Sequence, residues 1–274
     1  MNGRLIICPT PIGNLEDVTL RVLAALRAAD LVACEDTRQT RKLLDRYGVT
    51  GALVSYHEHN ERERSAELVA RMRAGAVVAL VSDAGMPLVS DPGFILVQAC
   101  IAAGLSVEVL PGPSSALAAL VASGLPADRW RFVGFLPRRK GELERLLLGT
   151  PETLVAFESP RRLVGTLALL AAGDPARPVA VCRELTKLHE EVRRGSAAEI
   201  AAHYEKEPPR GEVVLVVGAA PPGAAPDAQE RAVAAVRALV EAGARTRPAA
   251  KVVAELTGVP ANRLYNALAA GSAR

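Results

Sequence analysis

The sequence predicts an α/β protein of two domains with mainly parallel or mixed sheets, followed by a small all-helical C-terminal module. Over most of the 274 residues, short apolar runs typical of strands alternate with helical patterns. A Gly/Pro cluster at residues 111–113 and a proline-rich stretch at residues 219–227 interrupt this alternation. A chain of this length accommodates two modest domains and a short extra module. The expected division is residues 1–112, 113–219 and 228–274.

The first domain contains five apolar runs that predict strands, at residues 4–8, 31–34, 53–56, 76–82 and 106–110. The run at 76–82 is unbroken, which favours a strand covered on both faces. The helical patterns lie within residues 20–26, 40–47, 60–74, 94–103 and 114–122. We expect Asp17 to cap the first of these helices, and Asp91 to cap the fourth with Pro92 at its first position. The expected apolar face of the first helix comprises Leu20, Leu23, Ala24 and Leu26.

The second domain and the terminal module continue this pattern with different content. Predicted strands lie at residues 131–135, 153–157, 178–182 and 212–218, and predicted helices at 143–148, 162–171 and 197–205. The terminal module has helical patterns at residues 228–241, 248–256 and 260–269. Its last two helices are joined by the tight turn Thr-Gly-Val at residues 257–259, as in a helix-turn-helix.

Composition excludes several classes of protein. No run approaches the roughly 18–20 apolar residues of a membrane span. The four cysteines form no CxxC pair, so we expect reduced core residues. The four histidines form no HExxH pattern, so no metal site is predicted. The net charge of +3 permits a polyanionic partner, while only 3% aromatic residues disfavours a stacking platform for single strands.

Three Gly/Pro-rich loops follow predicted strands, at residues 9–14, 83–93 and 111–115. Ligands of open α/β sheets bind at the carboxyl ends of strands, and glycine lets the backbone approach a ligand closely. None of the loops is a Walker A loop or a GxGxxG turn, so a nucleoside triphosphate is not indicated. Asp83 directly follows a predicted buried strand and begins the second of these loops. Its carboxylate can bind a ligand or cap free N–H groups of the loop.

Six ordered motifs carry a resemblance to a known family: TPIGNLEDVTLR, ACEDTR, SYHEHNE, VSDAGMPLVSDPG, LPGPSS and FESPRR. Together they resemble the ribosomal RNA small subunit methyltransferase I family, within the tetrapyrrole (corrin/porphyrin) methylase superfamily, over residues 5–218. The resemblance implies a tetrapyrrole-methylase-like fold with S-adenosyl-L-methionine between its two α/β domains. It also implies 2'-O-methylation of a cytidine in the decoding region of 16S rRNA, within the 30S subunit, by a homodimer. The expected reduced cysteines predict a cytoplasmic location.

The resemblance assigns the cofactor to the glycine-rich loops and to strand ends of the second domain. Here Ser-Asp-Ala-Gly-Met-Pro replaces the shorter Gly-Asp-Pro of the superfamily, and Met86 stands where threonine is expected. The implied cofactor-binding residues are Pro11, Gly13, Asp83, Ala84, Gly85, Val89, Ser114, Ser115, Phe157 and Leu185.

A ribose hydroxyl is a poor nucleophile until its proton is removed, so a nearby general base is expected. Glu35 and Asp36 follow one predicted strand, but neighbouring residues of a strand point to opposite sides, so at most one of them would face the pocket. Alternatively, this segment caps the following helix, and His57 is a solvated loop residue. The candidate catalytic residues are Glu35, Asp36, Arg38, His57 and Asn60.

Clusters of basic side chains are candidates for contact with RNA phosphates or for a simply solvated surface. The candidates are Arg41, Arg138, Arg161, Lys187, Arg247 and Lys251. Two other functions stay open: a tetrapyrrole-precursor or protein-carboxyl methylase of the same superfamily, and a non-enzymatic ribosome-binding factor. Labelling of RNA from S-adenosylmethionine distinguishes the first, and cofactor binding distinguishes the second.

Overall fold

The structure, a computed structural model, describes residues 3–220 and 228–271. Most of the expected linker, residues 221–227, lies outside the described residues. The chain forms two compact units. One combines Met1–Arg138 with Thr153–Gly218, and the other combines Arg139–Glu152 with Ala219–Arg274.

The first sheet is parallel and has the strand order β3-β2-β4-β1-β5. Helices cover both of its faces, which accounts for the nearly unbroken apolar strands. The strands are β1 (Arg4–Ile7), β2 (Leu31–Cys34), β3 (Leu53–Ser55), β4 (Val77–Val81) and β5 (Ser106–Val109). The helices between them are α1 (Leu20–Ala28), α2 (Thr37–Arg46), α3 (Glu61–Arg73) and α4 (Phe94–Ala102). All five strands and four helices of this half were predicted, with shifts of a few residues at their ends.

Two predicted helix starts are wrong. The cap of α1 is Thr19, whose hydroxyl oxygen accepts from the Val22 N–H, and Asp17 instead lies in a short 3-10 turn at Leu15–Asp17. Leu20 is 84% exposed, so it does not belong to the buried face. For α4, Gly93 occupies the cap position rather than Asp91. Its backbone has φ +137°, a conformation that disfavours any residue with a Cβ.

The second sheet is mixed, with the strand order β6-β7-β10-β8-β9. β6 and β7 are parallel, whereas β10 runs antiparallel to both β7 and β8. The strands are β6 (Trp130–Phe135), β7 (Thr153–Glu158), β8 (Pro178–Arg183), β9 (Glu191–Ser196) and β10 (Val213–Val217). Three helices accompany this sheet within the same unit: α5 (Ser115–Ser123), α7 (Pro160–Gly173) and α8 (Ala197–Lys206).

The edge strand β9 was not predicted. Its sequence, EVRRGS, lacks the apolar alternation of a half-buried strand. It forms by antiparallel pairing with β8, and charged side chains suit an edge strand because they discourage pairing with other chains. Tertiary pairing, rather than local pattern, therefore determines this element.

The second unit consists of helices. It contains α6 (Lys140–Gly149), α9 (Ala228–Glu241), α10 (Thr246–Thr257) and α11 (Ala261–Gly271). Val236, Val253 and Leu264 form a buried core of the three terminal helices. Gly258, in the left-handed conformation, ends α10, so the predicted tight turn before the last helix is confirmed.

The core of each sheet is apolar, and the four cysteines are buried and unpaired by disulfides. Among the residues that the structure describes, no helix is both long and apolar enough to cross a membrane. Within the same residues, no group of His, Cys, Asp or Glu side chains is arranged to hold a metal ion.

Candidate active site

The loops that follow the parallel strands of the first sheet meet at one edge. Because these strands run in the same direction, the residues after β3, β2 and β4 emerge side by side: His57, Glu35 and Asp83. The Asp36 N–H donates a 3.0 Å hydrogen bond to Asp83 Oδ1, which joins the second and third of these loops. The sequence-predicted acidic residues and histidine are thus on adjacent strands.

A cavity of about 400 Å³ lies between residues of the first and the second sheet. A volume of this size suits a small organic ligand. Its wall combines apolar side chains with a few serines and carboxylates. Of the predicted cofactor residues, its lining includes Ala84, Gly85, Val89, Ser114, Ser115, Phe157 and Leu185. It also includes residues that were not predicted, among them Ile12, Met86, Ser90, Asp91, Phe135, Glu158, Cys182, Glu212 and Val214.

Gly85 fits its place in the cavity wall because it has no side chain. Its backbone pairs with that of Thr10 through hydrogen bonds of 2.9 and 3.0 Å, in an isolated antiparallel bridge. Its φ is +81°, and a Cβ there would lie 3.3 Å from the Ile12 side chain. The Thr10 hydroxyl also donates to the Ser82 carbonyl at 3.0 Å. Two of the three predicted glycine-rich loops are therefore joined beside the cavity.

Pro11, Gly13 and Asp83 do not belong to the cavity lining. Gly13 instead packs against the loop after β8, where a Cβ would lie 2.7 Å from Thr186 Oγ1 and 2.8 Å from the Leu185 carbonyl. Its lack of a side chain therefore permits a close approach between the first and second sheets' loops. Their roles in cofactor binding stay predictions.

The donor and acceptor groups of the wall fit S-adenosylmethionine. Ser114 caps α5, so the positive end of that helix lies beside the cavity and suits a carboxylate. Leu185 is buried, and Phe157 stacks edge-on against Phe132 and Phe135, which provides an apolar surface for an adenine ring. Gly85 also lines the cavity, and because it has no side chain, a ligand can approach its backbone closely.

Burial and like charges act on the acidic groups near this cavity. Partial burial and the nearby Asp83 raise the pKa of Glu35, while His57 opposes that effect. Partial burial likewise raises the pKa of Asp83, although the Asp36 N–H lowers it. Raised pKa values in a cleft are typical of groups that exchange protons during a reaction.

Asp36 has a local structural role. It caps α2: its carboxylate accepts from the Arg38 N–H at 2.8 Å and pairs with the Arg38 guanidinium at 2.7 Å. These bonds to Arg38 lower the pKa of Asp36 to about 2. The capping alternative for this segment is therefore confirmed, and Asp36 is held away from proton exchange near neutral pH.

Hydrogen bonds within its own loop fix the position of His57. Its N–H donates to Asn60 Oδ1 at 2.9 Å, and Asn60 Nδ2 donates to the Ser55 carbonyl at 3.1 Å. Asn60 thereby fixes the turn that carries His57. Among the described residues, the buried Nδ1 of His57 has no hydrogen-bond partner. An unsatisfied buried nitrogen is costly, so this atom is available for a ligand or a water molecule.

The predicted RNA-contact residues have different local surroundings. Arg41 lines a shallow cavity with Thr37, Arg38 and Leu53. Arg138 and Arg161 are exposed. The ammonium group of Lys187 already forms salt bridges with Glu184 at 2.9 Å and with Glu212 at 3.2 Å. In the second unit, Lys251 is exposed, and the Arg247 guanidinium lies 5.7 Å from the Tyr265 ring centre.

Sequence reasoning missed three carboxylates of the cavity lining: Glu158, Glu212 and Asp91. Glu158 is fully buried and satisfied by Thr166 at 2.9 Å, the Ser159 N–H at 2.7 Å and the Arg162 guanidinium at 3.3 Å. Asp91 was interpreted as a helix cap, and it lines the cavity instead. Gly93 was the sequence feature that could have corrected the interpretation of Asp91 as a cap. It lies directly before the apolar helical run, and glycine competes for the cap position.

Residues 4–201 match the family model of the Tetrapyrrole (Corrin/Porphyrin) Methylases. The chain is 47% identical to a ribosomal RNA small subunit methyltransferase I from Mesorhizobium japonicum, over 96% of this chain and 90% of that protein. The chain belongs to the ribosomal RNA small subunit methyltransferase I family.

A second relative with the same name, from Escherichia coli O157:H7, is 42% identical over 96% of this chain and 93% of its own length. Among solved structures, the chain is similar to uroporphyrin-III C-methyltransferase from Thermus thermophilus complexed with S-adenosylhomocysteine. The TM-score is 0.55 and the identity 25%, over 79% of this chain and 97% of that one.

As a member of the ribosomal RNA small subunit methyltransferase I family, this chain is an S-adenosylmethionine-dependent methyltransferase with the tetrapyrrole-methylase fold. The predicted fold class and cofactor are confirmed. In such enzymes the cofactor supplies an electrophilic methyl group, and the chain's own side chains position the acceptor. The cavity is the candidate site for the cofactor, and its polar edge is the candidate site for the acceptor.

Proposed function

We propose that this protein methylates the ribose 2'-hydroxyl of a cytidine in the decoding region of 16S rRNA, in the cytoplasm and on the 30S subunit. The observation that carries the proposal is the location of Glu35, Asp83 and His57 beside the cofactor cavity. A hydroxyl acceptor needs oriented hydrogen-bond acceptors at the methyl-bearing end of the cofactor. The relatives' names, which specify small-subunit ribosomal RNA, support the substrate class.

In this proposal, different residues bind the cofactor and the acceptor nucleotide. The cavity wall around Gly85 and Phe157 holds the cofactor, whereas Glu35 and His57 contact the acceptor nucleotide. The unpartnered Nδ1 of His57 supports a ligand contact there. Asn60 positions His57, and Arg38 holds Asp36 in place.

Phosphate contacts would come from exposed basic side chains. Arg41 lines the shallow cavity beside α2, together with Arg38 of the acidic motif. We propose that Arg138, Arg161, Arg247 and Lys251 contribute further contacts. Lys187 contributes less than these, because two carboxylates already neutralise it. Binding through several phosphates is strongly dependent on salt.

We also propose the domain limits 1–112, 113–219 and 228–274, and a homodimer. Packing of Ala119 and Leu120 of α5 with the second sheet's core supports a boundary near residue 112. Dimerisation is supported by large apolar side chains left exposed on α4, β5 and α5, namely Phe94, Ile101, Val109, Leu117 and Val121.

The test is methyl transfer from labelled S-adenosylmethionine to 30S subunits that lack the modification, followed by mass spectrometry of the nucleosides. The proposal expects 2'-O-methylcytidine in the small-subunit RNA. Label in a base, or in a tetrapyrrole precursor or protein carboxyl group instead of RNA, would overturn it. Binding to 30S subunits without cofactor binding would indicate the non-enzymatic alternative.

A further inference from the structure

Asp91 occupies a position that neither the acidic motif nor the glycine-rich motif predicted. It lines the main cavity and is half-buried. Ser82, Glu35 and Asp83 are close enough to interact with its carboxyl group electrostatically. Asp91 therefore belongs both to the cofactor cavity and to the acidic edge of the first sheet.

The backbone around Asp91 is held in an unusual conformation. Leu88 and Ser90 have φ values of 72° and 67°, in the left-handed region that residues other than glycine rarely occupy. Gly93 lies so close to the side chains of Leu88 and Leu80 that a Cβ would be 2.8–2.9 Å from them. Such backbone strain is found mainly at functional sites. In this chain the strained segment directs Asp91 to the cavity instead of to the cap of α4.

We propose that Asp91 is a further catalytic residue, the carboxylate that accepts the proton of the acceptor hydroxyl during methyl transfer. This inference rests on the proposed function, because it requires a hydroxyl acceptor. As the new O–CH₃ bond forms, the S–CH₃ bond breaks and its electron pair stays on sulfur. The hydroxyl proton passes to the Asp91 carboxylate and then to solvent. The opposite charges of sulfonium and carboxylate are both removed, which a half-buried site favours.

The electrostatics of the site fit this role. Burial, and then the charges of Glu35 and Asp83, raise the pKa of Asp91 to about 6, against the effect of the Ser82 hydroxyl. A general base works best when its pKa lies near the working pH. Glu158 and Glu212 line the same cavity as Asp91. Glu35 and Asp83, from the loops after β2 and β4, interact electrostatically with Asp91, and His57 acts on Glu35. Their titrations are coupled, so the pH profile belongs to the group of carboxylates.

The experiment compares Asp91→Asn, Asp91→Glu and Glu35→Gln with the wild type and with Asp128→Asn, an exposed control in the loop before β6. Transfer to 30S subunits gives kcat as a function of pH, and calorimetry gives the Kd of S-adenosylmethionine. We expect Asp91→Asn to lower kcat by about 10²–10⁴-fold, to remove its rise between pH 5 and 7, and to change the Kd by less than about threefold. Asp91→Glu should restore part of the rate, and Asp128→Asn should match the wild type.

Three results would overturn the inference. The first is an Asp91→Asn enzyme with wild-type kcat and pH profile. The second is a Kd for the cofactor raised more than tenfold with kcat retained, because Asp91 would then pair with the cofactor's positive charge. The third is loss of the pH dependence in Glu35→Gln alone, which would make Glu35 the base. A wild-type enzyme that labels no RNA would overturn the proposed function itself, and this inference with it.

Discussion

The backbone N–H of Asp36 donates a 3.0 Å hydrogen bond to Oδ1 of Asp83. The two residues are 47 positions apart, in the loops after β2 and β4, and these strands are neighbours in the first sheet. Asp83 itself lies outside the cavity lining, whereas Ala84 and Gly85, the two residues that follow it, belong to that lining. Asp83 holds the acidic loop at a defined distance from the glycine-rich loop.

This relationship gives different expectations for two substitutions of Asp83. Asp83→Ala removes the acceptor, so the loop carrying Glu35 should shift and cofactor affinity should fall. A hydrogen bond to a charged group contributes roughly 1.5–3 kcal/mol, which sets an upper limit of about 150-fold on the loss in Kd. Asp83→Asn keeps an oxygen acceptor and should lose much less. Calorimetric titration with S-adenosylmethionine measures both, and equal losses in the two variants would contradict the hydrogen-bonding role.

A second prediction concerns the contact between Gly13 and the loop after β8. Gly13→Ala places a methyl group within 2.8 Å of the Leu185 carbonyl, a backbone atom that cannot move away freely. We expect a loss of roughly 1–3 kcal/mol in unfolding free energy. The matched control is Gly165→Ala in α7, where no atom lies within 4 Å of the added Cβ. It should be neutral or stabilise the helix by about 0.5–1 kcal/mol. Urea denaturation compares the two, and similar effects at both positions would argue against a close approach at Gly13.

A third prediction follows from the raised pKa of Asp91. Its ordinary value is 3.8, and in the folded protein it is about 6. Between these values the unfolded chain has already lost the proton that the folded chain still holds, so folding stability falls as pH rises. The loss is complete above pH 6 and absent below pH 3.8. Asp91→Asn should therefore stabilise the protein at pH 7.5, by roughly 1–3 kcal/mol, and leave it unchanged at pH 3.5.

The readout for Asp91 is the difference in unfolding free energy between variant and wild type at several pH values. Asp128→Asn is the control, and its difference should not vary with pH in the same way. A constant difference for Asp91→Asn from pH 3.5 to 7.5 would show that this carboxyl titrates normally.

A fourth prediction concerns the helical unit. Arg247 and Lys251 are exposed on α10, whose neighbouring core residues are apolar. Replacing both by alanine should weaken binding of 30S RNA and lower the salt slope of log K by about 2. Cofactor affinity should not change. Lys206→Ala, an exposed lysine of α8, serves as the control. An unchanged salt slope in the double variant would assign this face of α10 a role other than RNA contact.

Local sequence patterns predicted much of the fold. The apolar runs of β1 to β5 and the amphipathic helices between them were found because their burial produces a regular period along the chain. The strand β9 was missed because its residues, EVRRGS, have no such period and take their conformation from pairing with β8. Capping was predicted less well: Asp17 and Asp91 have the right chemistry for a cap, but neither caps a helix in the structure.

The candidate site shows the same division. The motifs around Glu35, His57 and Asp83 could be found because each directly follows an apolar strand run. Their proximity depends on the strand order β3-β2-β4, which no local pattern contains. The position of Asp91 depends on left-handed backbone at Leu88 and Ser90. Leucine and serine do not favour that conformation, so the sequence does not predict it.

The sequence by itself determined the alternation of strands and helices, the family and its cofactor, and which loops contain glycine, serine and carboxylate groups. Only the tertiary structure decided which of these groups share the cavity, that Asp36 caps α2, and that Lys187 is neutralised by Glu184 and Glu212. The physical reason is the distance along the chain over which each interaction acts. Burial period and capping chemistry act over a few residues, whereas pKa values and cavity walls arise from groups that are distant in sequence and close in space.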